Sequence, residues 1–285
     1  MHPAQLPQKP PWHSLLVLLA LWLLAFAPIL PGLYASWLDP ENSHGPLVPF
    51  IVLYLVWLKK EDLGQAKLGT SRWGLAVTGA GLLVYVLAQA GSVAVASRAM
   101  LVVTLMGLVL FNLGPEVFRR VAFPLAFLFF MVPFPDSLVK LVAFPLQLLA
   151  SNVSASLIGA MSIPVYQEGN MLHFVQTQLE VAEACSGIRS IVSLTMLSTI
   201  FSYLLPAGGG RRLLLAASAI PVAIAANIVR VSGTGILANF YGGGVAQGFL
   251  HEFSGLAVFA FGFLAIYGEY LLFRRGAVHR PREMK

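Results

Sequence analysis

Apolar residues in this chain come in long blocks, and the polar positions fall between the blocks, not within them. Runs near 14–33, 46–58, 73–90, 99–115, 121–135, 186–205, 213–231 and 253–273 are apolar on every side, and most approach the ~20 residues a helix needs to cross the hydrocarbon of a bilayer. Backbone groups in hydrocarbon must be satisfied within their own segment, so these blocks predict helices, about eight of them. Residues 138–160 read differently. Lys140, Gln147, Ser151 and Ser154 recur at helical spacing on one face, which predicts an amphipathic helix lying on the outer leaflet. A turn signal follows at Glu168-Gly169-Asn170. After it, Val175, Thr177, Leu179 and Val181 alternate with Gln176, Gln178 and Glu180, predicting a small β-hairpin. The expected fold class is an all-α polytopic membrane protein, with an outer-face amphipathic helix and a β-hairpin before the helix that follows Cys185. No repeat, low-complexity stretch or soluble domain interrupts it, so 1–285 reads as a single transmembrane domain, with 1–13 and 274–285 as cytoplasmic tails. The first run has no clear small-residue cleavage site and reads as an uncleaved span.

Composition agrees with the pattern: 58% of residues are hydrophobic and only 11% are charged, far from soluble globular usage. The formal net charge of +6 does not point to nucleic acid. Its basic residues come as Lys59/Lys60, Arg119/Arg120, Arg211/Arg212 and Arg274/Arg275, each beside an apolar run, where they act as topology signals. With those pairs inside, Asp39, Glu41, Arg98 and Asp136 fall outside, both termini are cytoplasmic, and the protein is a multi-pass resident of the plasma (inner) membrane. Residues 137–184 then have both ends outside. A ninth span there would invert every later basic pair.

The chain holds one cysteine, so an internal disulfide and Cys-rich metal sites are excluded, and no metal or other cofactor is expected. Cys185 lies in Glu180-Val181-Ala182-Glu183-Ala184-Cys185-Ser186-Gly187-Ile188-Arg189, where a polar segment meets an apolar one. At a helix N-terminus, unpaired N–H groups and the dipole favour a thiolate, and Arg189 falls one turn further on. The alternative is a small packed core residue. Placing the site outside restricts its partners to His44, His173, His251, Arg98, Lys140, Arg189 and Arg230. Arg230, in Asn227-Ile228-Val229-Arg230, ends the seventh span, and His251 opens the eighth. Each also has a plain reading: a snorkelling guanidinium and a helix-start histidine satisfied by backbone. Glu180, Glu183 and Glu252 read equally as acidic residues at helix starts. Together, thiol, imidazole and guanidinium supply a nucleophile, a proton shuttle and an oxyanion clamp.

The ordered set Ala184-Cys185-Ser186-Gly187-Ile188, Asn227-Ile228-Val229-Arg230 and His251 with Gly255 resembles the exosortase/archaeosortase family. Ser43-His44-Gly45-Pro46-Leu47-Val48-Pro49 and Val132-Pro133-Phe134-Pro135 fit it too, so the resemblance runs from about residue 14 to 273. It implies a membrane cysteine protease-transpeptidase, acting at the outer face on C-terminal sorting signals: a short Pro-Glu-Pro-like (PEP-CTERM) motif, a transmembrane helix and a basic cluster. It implies membrane-anchored substrate proteins, an acceptor nucleophile of unknown identity, and a setting among exopolysaccharide-associated envelope systems. Carried over residue by residue, the family's Cys, Arg and His fall on Cys185 as nucleophile, Arg230 as oxyanion or substrate stabiliser and His251 as general acid/base. Arg189, Ser186, Asn227, Glu183 and His44 are secondary candidates. The alternative function is a non-catalytic multi-pass subunit or transporter of an envelope system. Its marks, ionisable residues in mid-span and paired broken helices, are mostly missing.

Overall fold

The computed structural model describes residues 12–175, 177–181, 187–242 and 249–278, with only the backbone for 12, 136, 187–189, 249–254 and 277–278. The helices are α1 (Trp12–Phe26), α2 (Leu30–Trp37), α3 (Leu47–Leu58), α4 (Lys60–Gly64), α5 (Arg72–Ala90), α6 (Ala94–Phe127), α7 (Asp136–Ala160), α8 (Gly187–Leu204), α9 (Gly209–Tyr241) and α10 (Phe249–Val278). Strands β1 (Val165–Glu168), β2 (Met171–Phe174) and β3 (Gln178–Glu180) lie between α7 and α8. Six helical stretches among the described residues are long and apolar enough to cross a membrane: His13–Trp37, Arg72–Ala90, Ala94–Met131, Ser137–Ala160, Gly209–Tyr241 and Gly255–Gly276. The chain is an all-α polytopic membrane protein with one small sheet. It divides into two compact units, 1–135 and 136–285.

In the first unit, two spans expected at 99–115 and 121–135 form one helical stretch broken at Gly114, whose φ of 87° and ψ of 174° are not helical. Packing shows that the chain reverses there. Arg98 donates to the Gly32 carbonyl at 2.9 Å, and Trp37 Nε1 donates to Met131 O at 2.9 Å, so both ends of the stretch lie at the end of the unit formed by α2. Its middle lies at the opposite end, where Gly69 N–H donates to Leu113 O at 3.3 Å and Arg120 donates to the Asp62 carbonyl. The stretch is therefore two antiparallel arms turning at Gly114-Pro115. A positive φ favours glycine, and proline starts the second arm. Against the first arm, α5 packs through small residues. A Cβ on Gly74 would overlap the Phe111 backbone, and one on Gly107 would meet Thr78, the close approach that small residues permit between membrane helices. Lys59, Lys60, Lys67, Arg72, Arg119 and Arg120 thus gather at one end of this unit, and Asp39, Glu41, His44 and Arg98 at the other. At 12 residues, α3 is shorter than the spans around it.

The second unit is built on α9. Its Arg211 lies beside Gly276, where a Cβ would stand 3.5 Å from Nη1, and Arg212 Nε donates to Leu205 O at 2.9 Å. Arg211, Arg212, Arg274 and Arg275 therefore share one end. At 33 residues, α9 is ~50 Å long, well beyond the 213–231 expected, and its surplus turns support the sheet at the other end. Here α7 departs from expectation. Ser151 and Ser154, which the spacing placed on an outward polar face, are fully buried. Ser151 donates to Gln147 O at 2.9 Å and Ser154 to Ile228 O of α9 at 3.3 Å, while Ile158 packs on Gly235. Residues 154 and 158 meet 228 and 235 in the same order, so the last turns of α7 run alongside α9. Short hydroxyls satisfied by helix carbonyls sit between packed helices as readily as on a wet face, which is why the polar stripe misled.

Candidate active site

The sheet is what delivers the chain to Cys185. β1 pairs antiparallel with β2, with Glu168 opposite Met171, which leaves the two-residue loop Gly169-Asn170. Gly169 takes φ 60°, the glycine-first arrangement of tight hairpin loops. β2 pairs with β3, Leu172 opposite Leu179, and Val181 N–H donates back to Asn170 O at 2.9 Å. Leu172, Phe174, Leu179 and Val181 form one buried cluster with Ala150 and Ile158 of α7 and Val231 and Ala238 of α9. The expected hairpin is present but carries a third strand. Tyr166 and Glu168 are exposed while Val165 and Gln167 are half-buried, an alternation that the residue types Val-Tyr-Gln-Glu do not display in the sequence. Val175 and Thr177, by contrast, belong to the turn between β2 and β3, where Phe174 N–H donates to Thr177 O at 2.8 Å.

Cys185, Ser186 and Glu183 lie outside the described residues. The chain on either side is fixed by Val181, buried in the sheet cluster, and by Gly187, which opens α8. Arg189 is in the first turn of α8.

On α9, Arg230 is 8% exposed and Asn227, one turn earlier, 9%. A snorkelling arginine keeps its head group accessible, and this one does not. Its guanidinium rests on α10: a Cβ on Gly255 would stand 3.6 Å from Nη2 and 3.9 Å from Cζ. His251 is in α10 one turn before Gly255, at the i−4 position of the same helix face. The structure thus brings Arg230 to the first turns of the helix that carries His251, with Asn227 one turn before Arg230 on α9. A buried cation at a helix junction can hold a carbonyl oxygen, and its stabilisation of an oxyanion grows as water is excluded. Among the described residues no three His, Cys, Asp or Glu side chains gather as a metal-binding group.

His44 belongs to the first unit. Its Nε2 lies 3.2 Å from Phe130 O, and its Nδ1 is buried with no hydrogen-bond partner among the described residues. Burial holds its pKa below the usual histidine value, against the opposing effect of the Phe130 carbonyl. The turn is tight because a Cβ on Gly45 would overlap the Trp37 ring, and Trp37 is held by its bond to Met131 O. That accounts for Ser43-His44-Gly45-Pro46 as a packing motif.

No curated protein and no solved structure matches the chain. A model of the transmembrane exosortase family matches residues 37–268. That match takes in the His44 turn, the sheet, and the helices of Arg189, Arg230 and His251, and the chain accordingly belongs to the transmembrane exosortase family.

Proposed function

We propose that this protein cleaves PEP-CTERM-type C-terminal sorting signals at the outer face of the plasma membrane and passes the freed carboxyl end to an acceptor. Sorting-signal processing is the activity of its family. In the proposed chemistry the Cys185 thiolate attacks the scissile carbonyl carbon, and the oxyanion that forms is held by Arg230. Collapse breaks the C–N bond, and His251 protonates the departing amine, leaving a thioester on Cys185. An acceptor nucleophile, deprotonated by His251, attacks that thioester and restores the thiol. Asn227 lies one turn from Arg230 on α9 and would share its carbonyl-holding role. Arg189 and the α8 N-terminus favour the thiolate, with Ser186, Glu183 and His44 as lesser candidates.

The observation that carries this reading is the burial of Arg230 against Gly255, one turn from His251. An ionised side chain is costly at membrane depth and is retained there for function. Orientation follows from charge, taken for each unit by itself: the end bearing Lys59, Lys60, Arg119 and Arg120, and the end bearing Arg211, Arg212, Arg274 and Arg275, each face the cytoplasm. Both termini are then inside. This reading keeps both ends of residues 137–184 outside and does not count α7 as a crossing, although its length and composition suffice for one and its last turns run alongside α9. Reporter fusions after Lys60, Arg120 and Arg212 should report cytoplasm, and one at Gly169 the outside. A cytoplasmic signal at Gly169 would contradict an outer site.

Function itself is tested by mass spectrometry of a companion protein with a C-terminal tail of this type. Its tail should remain uncut in a strain lacking this protein and be cut when the wild type is restored. A mature end that is the same in both strains would sink the assignment.

A further inference from the structure

The sheet order is β1-β2-β3, so among the described residues β3 has a neighbour on one side only. The register decides which of its backbone groups are engaged. Thr177 O accepts from Phe174, Val181 N–H donates to Asn170, and Leu179 faces Leu172. Backbone groups of an antiparallel strand alternate in direction, so Thr177, Leu179 and Val181 turn theirs toward β2, while Gln178 and Glu180 turn theirs away. Leu179 is buried beneath the sheet, as is Val181 just beyond it, so the strand is anchored. Its outer edge is a row of N–H and C=O groups of the kind to which another strand adds.

In the chain, β3 is the strand that immediately precedes the proposed nucleophile. Four residues lie between Glu180 and Cys185, so their Cα atoms are at most ~18 Å apart. The opposite edge strand, β1, follows α7 and is farther from Cys185 along the chain. Presenting a scissile carbonyl to a thiolate requires an extended substrate, and strand addition supplies that through main-chain bonds, with alternate side chains left to set specificity.

We infer that an extended segment of the substrate protein, next to its scissile bond, binds as a fourth strand along the free edge of β3. The inference rests on the proposed sorting-signal peptidase reading. It identifies Gln178 and Glu180 as substrate-positioning residues acting through their backbone.

The test uses the full chain in lipid nanodiscs. The probe is a synthetic peptide copying the companion protein's sequence just before its transmembrane helix, N-methylated at one successive position at a time. Only every second N–H of an added strand faces β3, so KM should rise about 2- to 10-fold at alternate positions and stay flat between them. Gln178→Pro and Glu180→Pro each remove an outward N–H, which edge strands tolerate. Both should raise KM similarly while the rate of Cys185 alkylation is unchanged. Leu179→Pro, which breaks the β2 ladder, should lose both.

A methylation series without period two, or both outward proline variants working at the wild-type KM, overturns the inference and leaves the peptidase reading intact. If the proline variants fail to fold, the methylation series on the wild type decides by itself. A wild type that leaves the unmodified peptide uncut overturns the peptidase reading and this inference with it.

Discussion

Gly255 is the position where a side chain of known size can be pushed against Arg230. A Cβ there would stand 3.6 Å from Nη2, an ordinary van der Waals distance, so Gly255→Ala fits without displacing the guanidinium. It should also stabilise the helix by up to about 1 kcal/mol, because glycine is the poorer helix former. Gly255→Val adds two methyls about 1.5 Å beyond that Cβ, and accommodating the nearer one moves the guanidinium by roughly 1 Å. A shift of that size at a catalytic group costs on the order of 10²-fold in rate. The assay is kcat for cleavage of the companion tail by each variant in nanodiscs, with the amount of folded protein normalised by thermal melting. Gly262→Ala serves as the control on the same helix. Its Cβ would lie 2.7 Å from Leu194, in the cluster with Leu205 and Leu215, so it should lower the melting temperature and leave kcat alone. Gly255→Val turning over at the wild-type kcat would refute the placement of Arg230 in the reaction.

Three further outcomes follow from the geometry. Arg230→Lys keeps the charge but loses the planar fork, so kcat should fall by about 10²-fold, as for loss of an oxyanion donor; a change in KM alone would point to substrate docking instead. Gly74→Ala drives a Cβ into the Phe111 backbone, which overpacking makes about 1–3 kcal/mol destabilising, readable as a lower melting temperature. Because burial lowers the pKa of His44 in the folded protein, the unfolded chain binds the extra proton more readily. Stability from this group is therefore complete above the ordinary histidine value of 6.5 and is lost as pH falls below it. Melting temperature should drop between pH 7 and 5 in the wild type, with a shallower slope in His44→Gln.

Much of this fold was legible because hydrocarbon imposes a length and a composition on each span. The apolar blocks, the Gly169 turn and the charge pairs at helix ends could all be read from residues alone. The orientation of a polar residue within a membrane helix could not. Ser151 and Ser154 looked like a wet face and instead bond helix carbonyls inside a packed junction, since a serine's hydroxyl is small enough to be satisfied in either place. The reversal at Gly114 was visible as the break between the runs 99–115 and 121–135 with Arg119/Arg120 between them. Its sharpness depends on Arg98, Trp37 and Arg120 finding partners far along the chain. For the site, Arg230 was named from its position at a span end. Its burial depends on Gly255, twenty-five residues away, and no local pattern encodes that contact.

The central claim is that Cys185 carries the substrate as a thioester between cleavage and transfer. The direct measurement is intact-mass spectrometry of the protein quenched in acid during turnover of the companion protein. The account predicts an adduct on Cys185 equal to the companion protein up to its cut site, released by neutral hydroxylamine and missing in Cys185→Ala. Continued cutting of the tail by Cys185→Ala, with no adduct on the wild type, would contradict it.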